Sequence, residues 1–194
     1  EWLRGIINEK VISVLDPTLL VGRTFWKSFM GKYPVGQNRR YIVCYFLGHR
    51  KFYEKHIRHF ENVLGEEIVI IPTTSDSYRY GYKLAQNVDP IHFLQLIQNA
   101  KMVLTDSYHA TIFSLIFKKS FYIFERFEKK CKRSQNGRII DLIEKFNIHN
   151  RLIDETSSLI NQCEDINYDI IDQRYDSLKD ASQDFLLKAL RGTV

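Results

Sequence analysis

Residues Tyr41 to Leu47, YIVCYFL, are a nearly unbroken run of β-branched, aromatic and other apolar side chains. A strand with one wet face alternates apolar with polar residues, whereas an unbroken run reads as a strand covered on both faces. Such a strand belongs inside a parallel sheet, whose crossover connections lay helices over it. The chain repeats this theme. Gly48 ends the run. Tyr53, Ile57, Phe60 and Leu64 then fall at i, i+4, i+7 and i+11, which predicts a helix over 49–64 that Gly65 stops. Glu67 to Ile71 reads as a short strand and Pro72 to Ser77 as a loop. Asp89-Pro90 opens a helix as N-cap and first residue, with Phe93, Leu94, Ile97 and Ala100 as its buried stripe. Met102 to Leu104 is a strand, Tyr108 to Phe117 an apolar helix and Phe121 to Phe124 another strand. Ile139, Leu142, Ile143 and Phe146 mark a further helix. A last helix is predicted from about Asp172 to Leu190, with Leu178, Ala181, Phe185 and Ala189 inward. Upstream, Val11 to Leu15 reads as a buried strand, Arg23 to Met30 as a short helix and 31–38 as a turn-rich connector. Strand and helix alternate, so the fold class is α/β, a parallel sheet with helices on both faces. The simplest organisation is one domain over 1–194.

Composition narrows the classes of function. No stretch of 18 apolar residues exists, and the first residues lack a basic start followed by an apolar run. Cys44, Cys131 and Cys163 are odd in number and far apart, which suits reduced thiols in a cytoplasmic protein, with Cys44 buried. There is no CxxC pair, so no metal and no cofactor are expected. The net charge of +5 is mild and dispersed, which argues against nucleic acid. It suits a protein that holds a small anion or works beside an anionic membrane. The chain begins at Glu1 rather than Met, so a fragment or processed product is expected.

In an open parallel sheet, ligands bind beyond the carboxyl ends of the strands. That rule selects Gly48-His49-Arg50, Thr73-Thr74-Ser75, Thr105 to His109, and Glu125-Arg126. The third loop is the most informative. Thr105-Asp106-Ser107-Tyr108-His109 runs from a buried strand into the first turn of an apolar helix, where free N–H groups and the helix dipole favour phosphate or carboxylate. Asp106 or Ser107 serves as the cap, and His109 can add charge or move a proton. A cap before a helix is most often only a cap, and a lone histidine most often structural. A Ser107–His109 hydrolase dyad is disfavoured, because residues two apart on a helix point about 200° apart. His56 and His59 at i, i+3 read as a solvated helix face rather than metal ligands. Lys129, Lys130, Lys132 and Arg133 form a basic loop suited to steering an anion.

Asn99-Ala100, then Met102 to Phe117 (MVLTDSYHATIFSLIF), then Lys119-Ser120-Phe121 resembles the core signature of the polysaccharide pyruvyl transferase family. Val14 to Leu20 (VLDPTLL) resembles the DPT segment before that family's C-terminal domain. Asn136-Gly137-Arg138-Ile139, with a helix and Arg151 after it, resembles its late N-S-R-I segment. The resemblance implies a Rossmann-like domain, one half of a B-type glycosyltransferase-like fold. This chain would be the C-terminal, donor-binding half, with the N-terminal domain outside it. It implies transfer of the enolpyruvyl group of phosphoenolpyruvate to a sugar of a cell-surface polysaccharide, forming a pyruvate ketal. The partners implied are phosphoenolpyruvate and a glycan or lipid-linked sugar acceptor. The protein would be cytoplasmic, with peripheral association at the inner membrane face and homo-oligomerisation among its expected properties. By resemblance His109 is the donor-site histidine and general acid. Thr105, Asp106, Ser107, Tyr108 and Gly48 border the donor, Arg126 and Arg138 clamp an anion, and Asn136 belongs to the same group. Some relatives carry Arg two residues before the histidine, where Ser107 stands here. Two other readings remain: a sugar-nucleotide-dependent glycosyltransferase of the same fold, and an α/β binding domain without catalysis.

Overall fold

The computed structural model describes residues 12–33, 40–128, 136–160 and 163–192. Six parallel strands form one sheet: β1 (Tyr41–Tyr45), β2 (Glu67–Ile70), β3 (Lys83–Leu84), β4 (Met102–Thr105), β5 (Ser120–Phe124) and β6 (Leu152–Ile153). Their order is β3-β2-β1-β4-β5-β6. The chain moves outward from β1 to β3, then returns to the other side of β1 to lay down β4 to β6. That is the doubly wound order, and its reversal leaves a crevice at the carboxyl ends of β1 and β4. The helices are α1 (Pro17–Leu20), α2 (Gly22–Met30), α3 (Lys51–Leu64), α4 (Pro90–Asn99), α5 (Tyr108–Ile116), α6 (Asn136–Phe146) and α7 (Tyr168–Leu190).

The two-sided burial read from YIVCYFL holds. Side chains along a strand alternate between faces. Val43, Val69, Val103, Phe121 and Ile123 point into a core shared with α4, α5, α6 and α7. Ile42, Cys44, Ile68, Ile70, Leu104, Tyr122 and Phe124 point into a second core, filled by Phe52, Tyr53, Ile57 and Phe60 of α3. Each fully buried Ile or Phe contributes about 1.5–3 kcal/mol, so both faces hold the sheet. Helix α5 is buried almost all round. The hydroxyls of Thr111 and Ser114 donate to the carbonyls of Ser107 and Ala110 four residues back, which satisfies them inside the core.

Three expectations are corrected. Residues 12–15 are not a strand. The Leu15 amide donates to Ser182 Oγ at 3.0 Å instead of a neighbouring strand, and Leu15 is buried by that contact. In α7 the buried residues are Ile171, Tyr175 and Ser182, with Leu178 packed against the core as expected, while Ala181 and Ala189 are exposed. A buried serine set the true face: Ser182 also donates to the Leu178 carbonyl at 2.6 Å, and a hydropathy pattern passes over it. The 75–80 segment is a 3-10 turn rather than open loop. Strands β3 and β6, two residues each, are too short to leave a periodic signal. The basic cluster at 129–133 and Cys131 lie outside the described residues.

His56 is also corrected. It is wholly buried against Phe52 and Phe124, and neither ring nitrogen has a hydrogen-bond partner. Burial, helped by Lys55 and His59, lowers its pKa to about 4. Between about pH 6.5 and pH 4 the unfolded chain therefore binds a proton that the folded chain refuses. Stability is full above the unfolded value and declines as pH falls toward 4, by on the order of 2–3 kcal/mol for this residue. Denaturant melts at pH 7 and pH 4.5 should show that decline, and His56→Leu should remove most of the difference. An equal decline in both proteins would clear His56 of the effect.

Candidate functional site

The crevice between β1 and β4 is occupied by this chain's own carboxylate. Asp106, the first residue after β4, is fully buried. Its Oδ1 accepts the Leu47 amide at 2.7 Å and its Oδ2 the Gly48 amide at 2.9 Å. The Tyr53 hydroxyl lies 3.2 Å from both Oδ2 and the Glu125 carbonyl. Arg126 crosses above. Its Nη2 donates to the Asp106 carbonyl at 3.0 Å and its Nε is 3.6 Å from Oδ2. Burial raises the Asp106 pKa, and the two amides, Arg126 and Tyr53 oppose that rise. Gly48 is required by this packing: a Cβ there would lie 2.6 Å from Arg126 Cγ and 3.1 Å from Asp106 Oδ2. Donors that an anion would use at the switch point are thus bonded to Asp106. Thr105 is buried as well, its hydroxyl donating to the Tyr45 carbonyl and accepting the Ser107 amide.

Ser107 is the N-cap of α5, with Oγ accepting the Ala110 amide at 3.4 Å. Its side chain turns inward, and two residues on His109 turns outward, as the helical angle requires. The His109 side chain is 54% exposed. Its Nε2 lies 3.9 Å from Asp16 Oδ2, and Arg138 Nη2 lies 3.9 Å from the same oxygen. The Arg138 guanidinium sits 4.2 Å over the Tyr108 ring, which meets the His109 ring edge to face at 5.4 Å. Burial and Asp16 raise the Tyr108 pKa, with Arg138 opposing. Three sequence-predicted residues, Tyr108, His109 and Arg138, are therefore brought together at the sheet's carboxyl edge. Thr105, Asp106, Ser107, Gly48 and Arg126 form the floor beside them. Asn136 pins the start of α6 to the chain after β5: its amide donates to the Phe127 carbonyl at 2.8 Å and its Oδ1 accepts the Phe127 amide. Arg151 is buried and donates to the carbonyls of Glu164 and Asp165, which fixes the segment after β6.

Sequence reasoning missed Asp16. It caps α1 before Pro17: Oδ1 accepts the Thr18 amide at 2.9 Å. Nothing local shows that its second oxygen faces an imidazole from α5 and a guanidinium from α6. The signal that could have found it was its place in the DPT segment. A cleft of about 350 Å³ lies farther along the same edge, lined by Phe124, Glu125, Gly137, Ile140, Leu152 and Asp154. Among the described residues no group of three His, Cys, Asp or Glu could hold a metal, and no helix is long and apolar enough to cross a membrane.

Fold and site together define a doubly wound α/β domain with an exposed imidazole and a guanidinium at its carboxyl edge, a chemistry suited to anions. The family model of polysaccharide pyruvyl transferase matches residues 2–126, and the chain belongs to that family, one of transferases. The match includes Asp16, Asp106 and His109 and stops short of Arg138. A search of curated proteins gave no significant match. Among solved structures, UDP-GlcNAc 2-epimerase of Methanocaldococcus jannaschii in complex with UDP-GlcNAc and UDP is similar at 16% identity and a TM-score of 0.46, over 91% of this chain and 50% of that one. A second structure of that epimerase is similar at 12% identity and a TM-score of 0.41, over 90% and 50%. The chain spans about half the length of these proteins. Likeness at this level bears on neither substrate nor mechanism.

Proposed function

We propose that this chain is the donor-binding domain of a transferase that moves the enolpyruvyl unit of phosphoenolpyruvate onto a polysaccharide or lipid-linked sugar, forming a pyruvate ketal. Family membership is the warrant for the reaction, and one observation carries the site: the exposed His109 imidazole beside Arg138 at the carboxyl edge of the sheet. Phosphoenolpyruvate bears a phosphate and a carboxylate, and a guanidinium fork suits either. Protonation of the methylene carbon makes the adjoining carbon electrophilic. One sugar hydroxyl adds there, and a second displaces inorganic phosphate as the carbon–oxygen bond to phosphate breaks. Both hydroxyl protons are lost. His109 is the acid in this scheme, the imidazole that reaches outward from the first turn of α5. Arg138, steadied by the Tyr108 face, holds the anion still while charge shifts. Asp106 fills the switch-point crevice, which supports a donor position outside it, over the first turn of α5. The work is placed in the cytoplasm, at the membrane face where lipid-linked acceptors gather.

Calorimetric titration of the full-length protein with phosphoenolpyruvate, UDP-sugars and CMP-sugars tests this. Binding of phosphoenolpyruvate is expected, with affinity that falls as salt rises. Binding of a sugar nucleotide alone would establish the glycosyltransferase reading instead, and binding of neither would favour a domain without catalysis.

A further inference from the structure

An N-cap needs one carboxylate oxygen. Asp16 uses Oδ1 for that purpose, and its Oδ2 lies 3.9 Å from both His109 Nε2 and Arg138 Nη2. The three residues come from three separate elements. Asp16 is the inner member, 13% exposed, while the His109 and Arg138 side chains reach outward from it. Its own position is fixed. The Trp26 indole donates to the Thr18 carbonyl at 2.9 Å, and the Tyr175 hydroxyl donates to the Leu19 carbonyl at 2.6 Å, so α1 is held from both sides.

We propose that Asp16 is a positioning residue: one oxygen caps α1, and the other aligns the His109 imidazole and the Arg138 guanidinium toward a common anionic donor. This inference rests on the donor-site reading above.

Asp16→Asn in the full-length protein tests it, because Asn caps a helix as well as Asp. Turnover is read as phosphate released from phosphoenolpyruvate, with the producing organism's extracted polysaccharide as acceptor. Asp16→Asn should leave the thermal midpoint unchanged and lower kcat on the order of tenfold through lost alignment. Added to His109→Ala, it should change kcat by less than about twofold, since residues acting as a unit are not additive. A lower midpoint, or full additivity with His109→Ala, would assign Asp16 to the fold alone and overturn the inference. If His109→Ala abolishes turnover while Asp16→Asn preserves it, the positioning role fails and the pyruvyl reading stands. Unchanged turnover in His109→Ala would remove both.

Discussion

Asp106→Ala is expected to lower the unfolding free energy by about 3–5 kcal/mol, the range for removing one partner of a buried ion pair. Four donors converge on this carboxylate: the amides of Leu47 and Gly48, the Tyr53 hydroxyl and the Arg126 guanidinium. Alanine leaves them facing a void, and each buried donor left unmade costs about 1–3 kcal/mol unless water enters. The raised pKa of Asp106 does not conflict with this. Burying the charge is costly, yet removing it strands partners already buried. Asp106→Asn should cost less, since the amide oxygen still accepts one bond while its NH2 opposes a second donor. Urea melts followed by circular dichroism would read both variants. A loss under about 1 kcal/mol for Asp106→Ala would show that the crevice rearranges or floods, and that Asp106 does not tie β1 to β4.

His109→Ala should do the reverse. Turnover of the full-length enzyme is expected to fall by at least about 10²-fold, the lower end for loss of a general acid. Stability should stay within about 0.5 kcal/mol, as for a surface change away from core or cap. The side chain is half exposed, and alanine is a good residue for the first turn of a helix. Phosphate release with saturating phosphoenolpyruvate measures the first quantity and a thermal melt the second. Unchanged turnover would take His109 out of the mechanism. Asp106 and His109 stand three residues apart in one loop and should give opposite signatures, one in the melt and one in the rate.

That contrast marks how far the site was legible. The loop after β4 and the helix start that carries His109 follow from the sheet rule, and the family resemblance names His109 as the donor-site histidine. Nothing in T-D-S-Y-H tells which side chain faces the interior, because the inward turn of Asp106 depends on amides of a loop 58 and 59 residues away. Arg126 looked as available as Arg138. It is committed to Asp106, while Arg138 rests on Tyr108 beside the imidazole.

The sequence by itself determined the α/β class, the two-sided burial of the central strands, the parallel crossovers and most helix ends. Those follow from local periodicity and capping chemistry, which act over a few residues and are written in consecutive positions. Tertiary structure alone decided that Ser182 faces the core, that Asp106 fills the switch-point crevice, and that Asp16 meets His109 and Arg138. Each depends on groups distant along the chain arriving within a few ångströms. A polar side chain's role is set by whichever donor or charge it meets there, and no local pattern encodes that meeting.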